Sequence, residues 1–119
     1  MTNDAVAVSL RVASTEAERD AAVDAWLRST PAAAAQPRAV LIEGALFDRS
    51  GPQGVPLVGL AASCPCCTGA VALRVVLGRT LRRIRPAAVL LLVGSAEHLP
   101  RLRRMLEGEG LGVRFEVQA

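Results

Sequence analysis

Residues 55–84 read VPLVGLAASCPCCTGAVALRVVLGRTLRRI, and the three parts of this stretch decide the fold. Val55, Leu57, Val58 and Leu60 make a short apolar run punctuated by Pro56 and Gly59, the pattern of a strand over residues 55–60. Leu73, Val76, Leu77, Leu81 and Ile84 recur at three- and four-residue spacing, with Arg74, Arg79, Arg82, Arg83 and Arg85 on the other side, which predicts an amphipathic helix over residues 70–84. Between the two lies Cys64-Pro65-Cys66-Cys67-Thr68-Gly69, which holds every cysteine of the chain. Three soft ligands therefore sit at a strand-to-helix turn.

Upstream of this stretch, Val40, Leu41 and Ile42 form an unbroken apolar run within residues 39–43, as in a strand covered on both faces. Residues 44–54, rich in Gly and polar side chains, read as a loop, and the Pro- and Ala-rich residues 29–37 as a connector. Thr15-Glu16-Ala17-Glu18 matches a capping box, so a helix should run from there to about residue 28, burying Ala22, Val23, Trp26 and Leu27. Residues 5–12 alternate, with Val6, Val8, Leu10 and Val12 on one face, as a strand does. Downstream, Pro86 ends the second helix and residues 88–93 give another wholly apolar strand. A helix containing Leu99, Leu102, Met105 and Leu106 stops at Gly108 and Gly110, and Val113, Phe115 and Val117 alternate in a last strand. The order β-α-β-β-α-β-α-β predicts one α/β domain over residues 1–119, a three-layer sandwich with a mainly parallel five-stranded sheet and helices on both faces.

Composition narrows the function. Hydrophobic residues make up 51% and aromatic residues 3%, so the core has to be built from Val, Leu and Ala. The net charge is +3 and all fourteen basic residues are Arg, which removes lysine as a Schiff base or phosphate-binding point charge. Nothing at the N-terminus has the order of a signal peptide, and neighbouring cysteines make awkward disulfides; a reducing cytoplasm is the expected compartment. The uncharged window over residues 51–73 contains three prolines and several glycines that would leave backbone groups unsatisfied in lipid, so no membrane span is expected.

Thiolates select Zn²⁺ and similar borderline-soft ions, and a Cys just ahead of a helix has its pKa lowered by the unpaired N–H groups there. Cys64, Cys66 and Cys67 are accordingly the expected ligands of a Zn²⁺-type ion, with Co²⁺, Ni²⁺ or Cu⁺ as substitutes. In an open α/β sheet the loops after the strands converge on one rim. Here that rim should carry Ser14 and Thr15, Glu43, the cysteine turn, and Glu97 with His98, making His98 and Glu43 the candidates for a fourth ligand. Against this stand plainer readings: free Cys as a small buried hydrophobe, the lone His as a surface group, and the carboxylates as solvated charges beside helix N-termini.

The element order and the turn resemble the CobW-type family of metal-handling P-loop GTPases. The resemblance rests on Cys64-Pro65-Cys66-Cys67-Thr68, which is similar to that family's Cys-x-Cys-Cys metal motif, and on Gly94 and Pro100 after the following strand. It implies a P-loop-NTPase-like fold and metal handling through the cysteines. The chain departs from the family at Leu91, where an acidic residue stands in the family, and at Val12-Ala13-Ser14-Thr15-Glu16-Ala17-Glu18, where a Gly-rich loop with Lys would cradle phosphates. With no Gly, no Lys and two carboxylates there, neither nucleotide binding nor GTPase activity is expected.

Three functional classes follow. The first is a small metal-binding protein of chaperone, buffer or sensor type. The second is a thiol redox or sulfur-transfer protein, with Cys67 as nucleophile and Cys64 resolving. The third is an interaction module using Arg82-Arg83-Ile84-Arg85 and Arg101-Leu102-Arg103-Arg104; without interleaved aromatics these runs read as solvated helix faces, and nucleic acid is not an expected partner. A homodimer or other protein partner along an uncovered edge strand is a further expectation.

Overall fold

The computed structural model describes residues 5–29, 37–44, 48–60, 70–100, 103–104 and 114–118. Strands β1 (Ala5–Val12), β2 (Arg38–Glu43), β4 (Pro56–Leu60), β5 (Ala88–Val93) and β6 (Arg114–Gln118) run parallel, and the two-residue β3 (Arg49–Ser50) pairs antiparallel with the outer side of β4. Their order across the sheet is β3-β4-β2-β5-β1-β6. Helix α1 (Glu16–Ser29) follows β1, and helix α2 (Ala70–Ile84) follows the cysteine stretch. The five parallel strands are those expected from sequence; β3 falls within the expected loop, because two polar exposed residues carry no periodicity.

Alternation along the strands sorts the core into two faces. Val40, Ile42, Leu90 and Leu92 point to one side, where Val23, Trp26 and Leu27 of α1 cover them. Leu41, Val89, Leu91 and Val93, with Val6, Val8 and Leu10, point to the other, where Leu77 and Leu81 of α2 cover them. Strands buried on both faces have to be apolar at every position, which is why β2 and β5 show no alternation in sequence. The result is a three-layer α/β/α sandwich.

The crossover from β1 to β2 passes β5 in one direction carrying α1, and that from β4 to β5 passes β2 in the opposite direction carrying α2 on the opposite face. Reversing both direction and face preserves the hand, as the rule for such crossovers requires. Among the described residues no α-helix joins β2 to the parallel β4. Beyond β4, residues 48–55 instead run through β3 and lead back into β4 by a tight turn in which Gly51 N–H donates to the Val55 carbonyl (2.7 Å). A Cβ on Gly51 would stand 2.9 Å from the side chain of the buried Leu57, so only glycine lets this turn lie against the strand it feeds.

Helix α1 starts as the capping box predicts: Thr15 Oγ1 accepts from Glu18 N–H (3.1 Å), and Glu18 Oε1 accepts from Thr15 N–H (3.2 Å). After β5, Ser95 Oγ accepts from Glu97 N–H (3.2 Å) and opens a 3₁₀ turn over Ala96–His98, with residues 99–100 and 103–104 helical. The remaining residues of that expected helix, including Leu102, Met105 and Leu106, lie outside the described residues. No helix among the described residues is long and apolar enough to cross a membrane.

Candidate functional site

Because β1, β2, β4 and β5 are parallel, the residues that leave their carboxyl ends lie on one rim. Ala13 N–H donates to the Val93 carbonyl (2.8 Å), so β1 and β5 stay paired to the point where they part. Beyond it the chain leaves β1 toward the face of α1, while Leu99, after β5, packs into the cluster of α2. This divergence between adjacent strands is the switch point at which open α/β sheets form a crevice.

Glu43, the last residue of β2, reaches across that end. Its Oε1 accepts from Gly94 N–H at 2.8 Å, and its carbonyl accepts from Arg19 Nη2 at 3.4 Å. Gly44, with φ of 91°, turns the chain away from β2, and a Cβ there would meet Arg19 Nη2 at 3.3 Å. Among the described residues, the buried Arg19 Nε has no hydrogen-bond partner. Arg19 and the Gly94 amide thus belong to this rim, although sequence reading singled out neither as a rim partner. The capping box did place Arg19 in the first turn of α1, but nothing in the pattern says that this turn faces the end of β2.

On the other side of the crevice Glu18 takes up the donors at the start of α1. Its Oε1 accepts from Ser14 N–H (2.8 Å) and Ser14 Oγ (3.1 Å) as well as from Thr15 N–H. The Ser14 amide, then the Ser14 hydroxyl and the Thr15 amide, hold the Glu18 carboxyl below the ordinary glutamate pKa. Amides that a phosphate would need at this helix start are bonded to the protein's own carboxylate.

No protein-family model, curated protein or solved structure matches the chain. The assignment therefore rests on its own residues.

Of the expected ligands, Glu43 is described in full and lies on the rim. His98 ends the 3₁₀ turn after β5, on the same rim by its backbone. Cys64, Cys66 and Cys67 lie outside the described residues. What frames them is described: β4 ends at Leu60, directly paired with Glu43 of β2, and α2 begins at Ala70. Strand order puts the end of β5, from which residues 94–98 continue, two strands from β4, roughly 10 Å at the usual spacing. Of the two candidate fourth ligands, Glu43 is by strand placement the nearer to the end of β4. Among the described residues no group of three His, Cys, Asp or Glu side chains could hold a metal ion.

Proposed function

We propose that this chain is a small metal-binding protein of chaperone, buffer or sensor type, which takes a Zn²⁺-type ion through Cys64, Cys66 and Cys67 and serves in the cytoplasm. The observation that carries the reading is the frame around the cysteines. They fall between the carboxyl end of a parallel strand and the start of a 15-residue helix, the end of the sheet at which α/β proteins collect their ligands. The donor set fits the ion, since three thiols suit Zn²⁺, Cu⁺ or Co²⁺ and give no site to hard cations such as Mg²⁺. Glu43 and His98 remain the candidates for a fourth position, and an incomplete protein shell leaves the ion exchangeable, as transfer or sensing requires. The likeness of the cysteine turn to the CobW-type motif supports the same reading, without the nucleotide cycle.

Cobalt(II) substitution tests it. Sulfur-to-metal charge-transfer absorption should appear with one equivalent of Co²⁺ and disappear in Cys66→Ser. Rapid alkylation of the cysteines that metal does not suppress, with no charge-transfer band, would overturn the proposal in favour of thiol redox chemistry.

A further inference from the structure

The two edges of the sheet are finished differently. At one, β3 is two residues long and both are exposed; behind it Pro56 has no N–H to offer, and Asp48 Oδ1 takes up the Gly59 N–H of β4 at 3.0 Å. A short strand, a proline and a side-chain cap all keep an edge from recruiting further strands. At the other edge stands β6, five residues long, without proline or glycine, and bonded to β1. Among the described residues no strand lies on its outer side. The outward N–H and C=O groups of β6 are therefore a template for one more strand.

The register of β6 on β1 sorts its residues between the two faces. Phe115 and Val117 stand beside Val6 and Val8, on the side of α2, whereas Arg114, Glu116 and Gln118 stand beside Ala5, Ala7 and Ser9, on the side of α1. One charge of each sign thus occupies a single face of the edge, two positions apart. An edge guarded by like charges repels its own copy; one that carries both signs can pair with itself. A two-fold axis continues a sheet across identical edges only with the strands antiparallel, and faces are kept only where odd residues oppose odd and even oppose even. The registers that oppose most of β6 are centred on its inner residues. Centred on Glu116, the ladder is longest, but the carboxylate is set against its own copy on the axis. Centred on Val117, Glu116 meets Gln118, and Arg114 meets nothing in the strand. Centred on Phe115, Arg114 meets Glu116 of the second copy, the same pair recurs across the axis, and Phe115 meets Phe115 on the other face. Opposite charges and aromatic rings directly across a strand pair attract, and like charges there repel, which selects the last register.

We infer that the chain associates through β6 with a second copy of itself, the two strands antiparallel about a two-fold axis at Phe115, with Arg114 of each copy opposite Glu116 of the other. The contact continues the sheet from one subunit into the next. It is isologous, so association closes at the dimer. It uses no residue of the cysteine turn and is independent of any metal there.

Sedimentation velocity over a concentration series, at low salt with a thiol reductant, reads the proposal directly. The parent should pass from monomer to dimer and no further. Arg114→Glu and Glu116→Arg each set like charges opposite one another at both places and should raise the dimer dissociation constant about tenfold or more; the two reversals combined in one chain restore the pairing and should return it to within about threefold of the parent. Arg82→Glu makes the same change of net charge on α2, away from β6, and should leave the constant unchanged. Far-UV circular dichroism should show that each variant is folded; where a single reversal is not, Arg114→Gln or Glu116→Gln takes its place, with a weakening of about threefold expected. Cys66→Ser protein should dimerise as the parent does. A parent that stays monomeric at millimolar concentration would overturn the assignment and leave the edge to a strand of another protein. So would single reversals without effect, a combined variant as weak as either single one, loss of the dimer in Cys66→Ser, or assemblies larger than a dimer.

Discussion

Glu43 and Gly94, 51 residues apart in sequence, are joined at 2.8 Å: the carboxylate at the end of β2 accepts the amide that follows β5. The contact fixes the turn after β5 relative to the strand beside the cysteine segment. Removing it by Glu43→Ala should cost about 1 kcal/mol, below the range for buried charged acceptors because the side chain is only half-buried. Glu43→Gln keeps an accepting oxygen and should cost less. Urea denaturation measures both. If Glu43 also completes the metal shell, Glu43→Gln should lower Co²⁺ affinity by about one to two orders of magnitude while leaving the urea midpoint nearly unchanged.

The capping box at the start of α1 predicts an acid-sensitive contribution to stability. Glu18 has a folded-state pKa below its ordinary value, so its contribution is complete above that ordinary value and is lost as pH falls through the folded one. Glu18→Gln should flatten the pH dependence of the melting temperature in that acid window alone. Thr15→Ala, which removes the other half of the box, should cost about 1 kcal/mol at neutral pH.

The same carboxylate bears on nucleotides. With the Ser14 and Thr15 amides already bonded to Glu18, a phosphate would have to displace an anion tethered to the helix it is approaching. Calorimetry with GTP and Mg²⁺ should show no binding in the micromolar range, in both the parent and Cys66→Ser.

Chelation should leave the fold intact. Among the described residues both core clusters are built almost wholly from strands and helices, including Leu41, Leu90, Leu91 and Leu92, which are almost wholly buried. The far-UV spectrum should therefore survive EDTA unchanged, unlike that of a domain whose folding free energy comes from its metal. Leu91→Ala, by contrast, should destabilise by about 2–5 kcal/mol through the cavity it leaves.

Helix α2 ends on a non-glycine residue in the left-handed region: Arg85 has φ of 52°, and its N–H donates to the Leu81 carbonyl at 3.1 Å. Pro86 bars a further helical turn. Arg85→Gly should relieve the Cβ strain and raise stability by up to about 1 kcal/mol, the gain being reduced by the greater freedom of glycine in the unfolded chain. A shift of the urea midpoint to lower concentration would show that the arginine side chain contributes more than its backbone costs.

The sequence by itself determined the α/β class, the five parallel strands, the capping box at Thr15 and Glu18, and the strand-to-helix position of the cysteines. Each of these is a local matter: strand and helix impose different periods on apolar residues, and a cap needs only residues three apart. The wholly apolar runs of β2 and β5 also announced strands covered on both faces. The tertiary structure alone decided the strand order, which sets Glu43 beside the strand leading to the cysteines and leaves His98 on a turn two strands away. It also decided the meeting of Glu43 with Gly94 and Arg19, and the antiparallel β3. These depend on which strand each crossover skips and which face it takes. Periodicity within one element cannot encode that, because burial constrains where a side chain points and not which distant neighbour it meets.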